Sequence, residues 1–459
     1  MRSQTLRFTT VLTLVTTLTI SDFLSTPNQS ALAQTPTAQK AEVDVRQSTS
    51  TPPTVEGIKR IAKEHQATLV SYSIIYDQVQ GEGEQTTQES ELYIWVVPPT
   101  GEIAFRQVDL KSLLQCQGKQ PCTPTSLANL ITSTRESIGL RNGRRVPKSE
   151  KRQVKANQIL AAPKGGLSIE FRPEQHQTQG LQQLYQLLIQ PIADLLPSNP
   201  NARVVFIPQD SLFLVPFAAL QDNFGKYLIE RHSILTAPSI QVLDMTRQQR
   251  QRVANGDILI VGNPSMPSIP ARLGEKPQPL SNLPGAEREA LAIAQMFNTQ
   301  ALIGKDATKA AVLEKMPGAR IIHLATNAIV DEERGTGSAL ALAPSGSDNG
   351  WLTAEEILDL KLNAELVVLS GCDTGLGKIT GDGVIGLARS FIAAGASSVI
   401  VSLGYVSDEA TAFLMTEFYR HLQQNQDKAQ ALRSAMLATM KKYPNYIDWG
   451  AFTLIGEAE

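Results

Sequence analysis

The sequence predicts an α/β fold in which a mostly parallel sheet carries helices on both faces, preceded by a small α+β region. From residue 202 onwards, short apolar runs bounded by Pro, Asn or Gly alternate with stretches of helical spacing. Before that point, three runs rich in β-branched and aromatic residues are separated by Gly and Pro turns. The chain has 459 residues, of which 42% are hydrophobic and 19% charged. This composition is globular, and the length suits two or three domains.

The first 33 residues have the pattern of a signal peptide. Arg2 and Arg7 precede an apolar, Thr-rich stretch at 8–20, which is too short to cross a bilayer comfortably. The small-x-small pattern at residues 31–33 suits signal peptidase, although a core helix at the start of the chain is the alternative. We therefore predict export to a periplasmic, lumenal or extracellular location, with no membrane span left after signal removal. Residues 34–54, rich in Gln, Thr, Ser and Pro, predict a disordered linker.

Residues 55–165 are predicted to form a mixed α+β region. A helix is expected over 54–65, followed by strands over 68–76, 91–97 and 102–108. Cys116 and Cys122 bracket a short loop and could form a disulfide in an oxidising compartment, or remain two unpaired thiols. The basic run at 140–155 is typical of a solvated face; a docking patch for an acidic partner and a protease-sensitive connector are the alternatives.

The remainder of the chain supplies the α/β alternation. Strands are predicted over residues 203–207, 233–235, 257–261, 319–325, 366–370 and 397–402. Helices are predicted over residues 180–196, 239–252, 285–297, 307–316, 383–394, 408–423 and 428–441. Because both faces of such strands are covered by helices, the strands are expected to be apolar throughout, as these are.

Charge and ligand patterns exclude several classes of protein. With 42 Lys and Arg against 44 Asp and Glu, the formal net charge is −2, so nucleic acid is not a predicted partner. The three cysteines and five histidines form no metal-binding pattern. Gly381, Gly383 and Gly386 match GxGxxG, but they follow a loop instead of a strand, which disfavours a nucleotide site. We therefore predict neither a metal nor a cofactor.

Two predicted strands end in residues that can do chemistry. The strand at 319–325 runs into Thr326 and Asn327, and the strand at 366–370 runs into Gly371, Cys372 and Asp373. In an open α/β sheet, catalytic groups gather at the carboxyl ends of the strands. Cys372 is therefore a candidate nucleophile, with a small packed hydrophobic residue as the alternative.

Seven segments carry a resemblance to a known family. They are FLVPFAAL at 213–220, LPGAEREA at 283–290, IHLAT at 322–326, LSGCDTG at 369–375, GDGVIGLAR at 381–389, AGASSV at 394–399 and WGAFTLIG at 449–456. In this order they resemble the CHAT domain family of caspase-like cysteine peptidases. The resemblance implies a caspase-like fold, with residues 166–255 as the first, non-catalytic half of the domain and residues 256–459 as the caspase-like half.

The resemblance also implies a Cys–His dyad, of which only one member is present. Cys372 matches the position of the nucleophile, whereas Asn327 stands where the family has the histidine, and Ala328 replaces the usual glycine. An amide exchanges no proton near pH 7, so Asn327 cannot act as a general base or acid. Gly404 stands where the family commonly has Trp, which predicts a missing wall beside the site. Ala328, Gly371, Asp373 and Gly404 are the expected binding positions.

Other histidines are weak substitutes for the missing one. His323 lies four residues before Asn327 on the same predicted strand, about 13 Å away at ~3.3 Å per residue, and is expected to be a satisfied core histidine. His232 and His421 could serve only if the fold brings them close to Cys372. The predicted function is therefore an exported, catalytically impaired peptidase homologue that binds or regulates through a peptide or protein partner. The alternative is an active cysteine endopeptidase that uses Cys372 with a non-standard base.

Overall fold

The computed structural model describes residues 53–80, 85–111, 126–140, 173–253, 255–269, 278–331, 335–380, 383–425 and 427–459. The predicted signal peptide, the linker up to residue 52, Cys116, Cys122 and the basic run from residue 141 onwards lie outside the described residues. These predictions therefore stay predictions.

The N-terminal region contains the helix and the three strands expected there. Helix α1 (Val55–Glu64) begins at Thr54, whose hydroxyl accepts a hydrogen bond from the backbone N–H of Gly57. The strands β1 (Ala67–Gln80), β2 (Gln85–Val97) and β3 (Ala104–Asp109) form an antiparallel meander. A helix that was not predicted, α2 (Leu127–Ser137), begins at Ser126 and turns Leu127, Leu130 and Ile131 into the core.

The next part of the chain alternates helices with two strands. The elements in order are α3 (Pro173–Leu188), β4 (Arg203–Ile207), α4 (Leu228–Arg231), β5 (Ser233–Thr236) and α5 (Ile240–Arg252). A 3₁₀ segment, Gln190–Leu195, follows α3, because Pro191 breaks the α-helical hydrogen bonding that was expected to continue to residue 196.

The C-terminal part supplies the remaining strands and helices. Its first elements are β6 (Asp257–Pro264), β7 (Ser268–Ile269), β8 (Gln278–Pro279), α6 (Pro284–Met296), β9 (Leu302–Gly304), α7 (Lys309–Lys315), β10 (Ala319–Ala325), β11 (Ala328–Ile329), β12 (Ala339–Ala341), β13 (Trp351–Thr353) and α8 (Ala354–Leu358). They are followed by β14 (Leu366–Leu369), β15 (Lys378–Thr380), β16 (Gly383–Ile385), α9 (Leu387–Ala393), β17 (Ser398–Ser402), α10 (Asp408–Asn425), α11 (Lys428–Lys442), α12 (Tyr446–Trp449) and β18 (Phe452–Gly456). The helix predicted over 383–394 therefore starts later, after the short hairpin β15–β16.

One sheet of eleven strands joins all three parts, in the order β3-β2-β1-β4-β5-β18-β17-β14-β10-β6-β9. Pairing is antiparallel within the meander and between β17 and β18, and parallel elsewhere. The α/β class and the mostly parallel sheet are thus confirmed. Because β1 pairs directly with β4, the N-terminal region shares its sheet with the rest of the chain.

Helices cover both faces of this sheet, which explains the continuous apolar strands. In β14, Leu366 and Val368 belong to one buried layer, and Val367 and Leu369 belong to the layer on the opposite face. None of the helices in the described part of the chain is both long and apolar enough to cross a membrane.

Candidate functional site

The two strands singled out in the sequence are parallel neighbours, as predicted. Strand β10 pairs with β14 from Ile321 opposite Leu366 to Leu324 opposite Leu369. Asn327 follows the end of β10 by two residues, and Cys372 follows the end of β14 by three. The backbones stay in contact past the paired residues, because a Cβ atom on Gly371 would overlap the carbonyl oxygen of Thr326. We call the six residues Asn327, Ala328, Gly371, Cys372, Asp373 and Gly404 the strand-end site.

The turn that carries Cys372 is tied to strand β17. The hydroxyl of Thr374 donates to the carbonyl of Leu369 at 3.0 Å and accepts from the backbone N–H of Ser402 at 2.9 Å. The Ser402 hydroxyl donates to the carbonyl of Gly371. These residues are buried, so the hydrogen bonds hold the turn in one conformation.

The Cys372 thiol is half-buried and protonated. Its Sγ donates a weak hydrogen bond to the carbonyl of Val406 at 3.6 Å. Burial raises the pKa of Cys372 to about 11, and the charges of Asp373 and Asp408 act in the same direction. Near pH 7 only about one thiol in 10⁴ is ionised at such a pKa, and the thiolate is the nucleophilic form.

The side chain of Asn327 contacts the two segments that flank the β7–β8 hairpin. Its Nδ2 donates to the carbonyl of Ser281 at 3.1 Å and lies 3.4 Å from the sulfur of Met266. Its backbone carbonyl accepts from the N–H of Ala341 at 2.9 Å. The amide therefore has a positioning role between two segments and provides no proton-transfer group.

Ala328 does not need the freedom of a glycine. It lies in β11 opposite Leu340 and is not among the described residues with a positive φ. The backbone at this position is therefore compatible with alanine.

His323 is the buried histidine that the sequence predicted. Its Nε2 lies 2.9 Å from Oε1 of Glu289, and its Nδ1 lies 3.2 Å from the Tyr419 hydroxyl. The side chains of His323 and Glu289 are no more than 1% exposed. Burial raises the pKa of Glu289, against the opposing effects of His323 and the Ser370 hydroxyl. This pair joins helix α6 to β10 beneath the strand-end site.

The other described imidazoles lie in other surroundings. His65 lies 3.3 Å from Glu457, His232 is buried beside Arg231 and Arg433, and His421 contacts Arg420 and Glu417. No imidazole is among the charged groups that act on the Cys372 thiol within the described residues. Among the described residues, the charged groups that act on the thiol are the carboxylates of Asp373 and Asp408, so an imidazole base for Cys372 finds no support there.

Asp408 is a residue that the sequence did not single out. Its carboxylate accepts from the backbone N–H groups of Gly285 and Ala286 at 2.6 and 2.9 Å, so it stabilises the start of helix α6. It also raises the pKa of Cys372 and of the neighbouring Tyr405. One carboxylate thus connects the LPGA segment with the strand-end site.

The space beside Gly404 is occupied, contrary to the missing wall that the sequence predicted. A Cβ atom on Gly404 would lie 2.8 Å from Cδ2 and 3.2 Å from Cα of Leu140. Leu140 is 1% exposed and belongs to the N-terminal region. Arg135 of helix α2 also reaches this corner, donating to the carbonyl of Leu403 at 2.7 Å and to that of Leu214 at 2.9 Å. The N-terminal region thus fills the side of the site that Gly404 leaves open.

Comparison with known proteins identifies the family. The model of the CHAT domain matches residues 178–457, which is more than half of the chain. This chain belongs to the CHAT domain family. Membership confirms the family resemblance of the seven sequence motifs, and the CHAT region begins after helix α2, which carries Arg135, and after Leu140.

Individual relatives are more distant. The human tetratricopeptide repeat protein 28 is 29% identical over 355 residues, covering 66% of this chain, but the chain spans only 14% of its length. The Saccharomyces cerevisiae separase–securin complex matches with a TM-score of 0.43 and 12% identity, over 89% of this chain and 32% of that one. The Arg-specific cysteine proteinase gingipain R matches with a TM-score of 0.37 and 10% identity, over 62% of this chain and 67% of that one.

Proposed function

We propose that this CHAT-family protein binds a peptide segment or a partner protein at the strand-end site and that its peptidase activity is impaired. The observation that carries the proposal is the state of the two dyad positions. The Cys372 thiol has a pKa of about 11, and Asn327 donates its amide to Ser281 and Met266. Neither position supplies the thiolate or the proton carrier that acyl transfer to cysteine requires.

Binding remains available to such a site. Tyr405 is 60% exposed beside Cys372, and tyrosine offers a rigid, amphipathic contact surface to a ligand. Gly371 and the hydrogen bonds of Thr374 and Ser402 fix the backbone of the turn, which lowers the entropy that a ligand loses on binding. A rigid surface at the end of the sheet thus supports recognition without chemistry.

Restoration of the imidazole tests the catalytic part of the proposal. The unmodified protein should show no Cys372-dependent hydrolysis of a mixed fluorogenic peptide library. Asn327→His should raise the rate by at least ~10²-fold, the low end of general acid–base help. Adding Ala328→Gly should contribute little more, because Ala328 has an ordinary backbone conformation. The gain should disappear in the Asn327→His, Cys372→Ala variant.

Cleavage by the unmodified protein that is lost in Cys372→Ala would contradict the proposed impairment and favour the active endopeptidase. Binding is tested separately, by selecting peptides from a random displayed library on the unmodified protein. Selected peptides should slow alkylation of Cys372 by iodoacetamide. Selection that yields no peptide able to protect Cys372 would count against the strand-end site as the binding surface.

We further propose that the protein is exported. The basic start, the apolar stretch at 8–20 and the small-x-small pattern at 31–33 support this proposal. Sequencing of the natively expressed protein should give Gln34 as its first residue. A natively expressed chain that retains Met1 would contradict export and would remove the oxidising compartment that a Cys116–Cys122 disulfide requires.

A further inference from the structure

We propose that Arg135 and Leu140, which lie outside the CHAT region, complete the strand-end site: Arg135 positions the segment Leu403–Val406, and Leu140 supports it beside Gly404. The inference deepens the proposed binding function and rests on it for its biological meaning. Its physical content is that the conformation and exposure of Cys372 depend on the N-terminal region.

The segment 403–406 is the direct neighbour of the thiol. The carbonyl of Gly404 accepts from the backbone N–H of Asp373 at 3.0 Å, and the carbonyl of Val406 accepts from Sγ of Cys372. Any shift of this segment therefore changes the hydrogen bonding and the burial of Cys372. Burial is also the main cause of the raised pKa of the thiol.

The N-terminal region contacts the same segment from the other side. The guanidinium of Arg135 bridges the carbonyls of Leu403 and Leu214, which belong to different parts of the chain. Arg135 is 1% exposed, and a buried charge is tolerated only where it is well hydrogen-bonded. The planar fork of an arginine suits two carbonyls at once better than the point charge of a lysine.

Leu140 complements this bridge by packing. Gly404 has no side chain, and Leu140 lies against the face where one would be, with its Cα only 3.2 Å from the position of a Cβ on Gly404. The preceding Gly139, at a φ of 88°, turns the chain after helix α2 and packs on Ile447. The chain that follows α2 thus packs between the segment 403–406 and helix α12.

The alternative is that Arg135 and Leu140 serve stability alone. Two residues of the same types serve as controls that distinguish a role at the site from a role in stability alone. Arg433 also bridges two backbone carbonyls, those of Ile229 and Glu230, both at 2.8 Å. Leu130 is a buried leucine of helix α2 itself. The two carbonyls that Arg433 bridges lie outside the segment 403–406, and Leu130 lies within α2, before the helix end that carries Leu140 to Gly404.

Alkylation of Cys372 by iodoacetamide, followed by mass spectrometry of the peptide that contains it, measures the effect in the full-length chain. Arg135→Met and Leu140→Ala should each raise the rate at pH 8 at least ~10-fold and move the midpoint of the pH profile below about 11. The reason is that exposure returns the thiol towards its ordinary pKa of ~8.5 and increases the thiolate fraction. Arg433→Met and Leu130→Ala should change the rate less than ~2-fold.

Arg135→Lys provides a milder variant, in case Arg135→Met does not fold, and should give an intermediate rate. Rates in Leu140→Ala and Arg135→Lys that stay within ~2-fold of the unmodified protein would overturn the inference. So would equal increases in Arg433→Met and Leu130→Ala. The measurement uses no peptide ligand, so its outcome stands whether or not the proposed binding function is correct.

Discussion

Strand β10 connects two regions that differ in chemistry. In its middle, His323 contacts Glu289 at 2.9 Å and the Tyr419 hydroxyl at 3.2 Å, entirely inside the protein. Two residues past its end, Asn327 donates to Ser281 and Met266 at the strand-end site. The buried region keeps an imidazole in contact with Glu289 and Tyr419, whereas the strand-end site has the amide of Asn327 where the family has its histidine. Along this one strand, His323 serves the packing of the core, whereas Asn327 stands at the position that catalysis would require to be a histidine.

The difference has a physical basis in burial. An imidazole in the core must find hydrogen-bond partners, because an unpaired polar group there costs more free energy than its bond contributes. A position at the strand end is half-buried, so an amide can take it with two local contacts. The site can therefore lose its proton carrier without disturbing the pairing of β10 with β14.

The largest expected effect sharpens this comparison at the thiol. Because the pKa of Cys372 is about 11, its alkylation by iodoacetamide should rise about tenfold per pH unit from pH 7 to pH 10, roughly 10³-fold in all. The thiolate is the deprotonated form, so the rate increases with pH and levels off only above the pKa. The same cysteine in the denatured chain should show a midpoint near ~8.5. An alkylation rate that is already constant near neutral pH in the folded protein would indicate an activated thiolate. It would contradict the view that the strand-end site lacks catalytic chemistry.

A second prediction compares the two regions by stability. Glu289→Ala leaves the buried Nε2 of His323 without its carboxylate neighbour and opens a cavity in the core, so it should lower the free energy of unfolding by about 3–5 kcal/mol. Asn327→Ala removes one hydrogen bond at a half-buried position and should cost no more than about 1.5 kcal/mol. Urea unfolding followed by tryptophan fluorescence measures both. Glu64→Ala, which breaks an exposed pair with Arg60, is the control and should cost less than about 1 kcal/mol. Equal losses at Glu289 and Asn327 would show that the two regions do not differ in this way.

The sequence predicted the parts of the fold that local patterns determine. Strands such as Arg203–Ile207 and Ala319–Ala325 matched their apolar runs, and the strand-end rule predicted that Asn327 and Cys372 follow neighbouring strands. Helix α2 was missed because its sequence contains Thr and Ser, which also favour turns. The short strand β9 has only three residues, too few for a periodic signal.

The candidate site was predicted only in part, because some of its contacts join residues far apart in the chain. Leu140 and Gly404 are separated by most of the fold, and no local pattern pairs them. Arg135 carried a weak signal, since it lies four residues after Ile131 on the apolar face of α2, where a solvated arginine is not expected. The raised pKa of Cys372 depends on burial of the thiol, which the LSGCDTG motif by itself does not determine.

The smallest predicted effect tests whether the two regions meet at Gly404 as described. Gly404→Ala places a Cβ 2.8 Å from Cδ2 of Leu140, so it should cost about 1–3 kcal/mol of stability. In a Leu140→Ala background the Cδ2 atom is gone, and the cost should fall by about 1 kcal/mol, while the contact with Cα at 3.2 Å keeps part of it. Gly318→Ala is the matched control, because nothing lies within 4 Å of its added Cβ, and it should show no coupling to Leu140. Mutations at independent sites add within about 0.3 kcal/mol. A coupling energy below that value between positions 404 and 140 would therefore contradict the contact between the N-terminal region and the strand-end site.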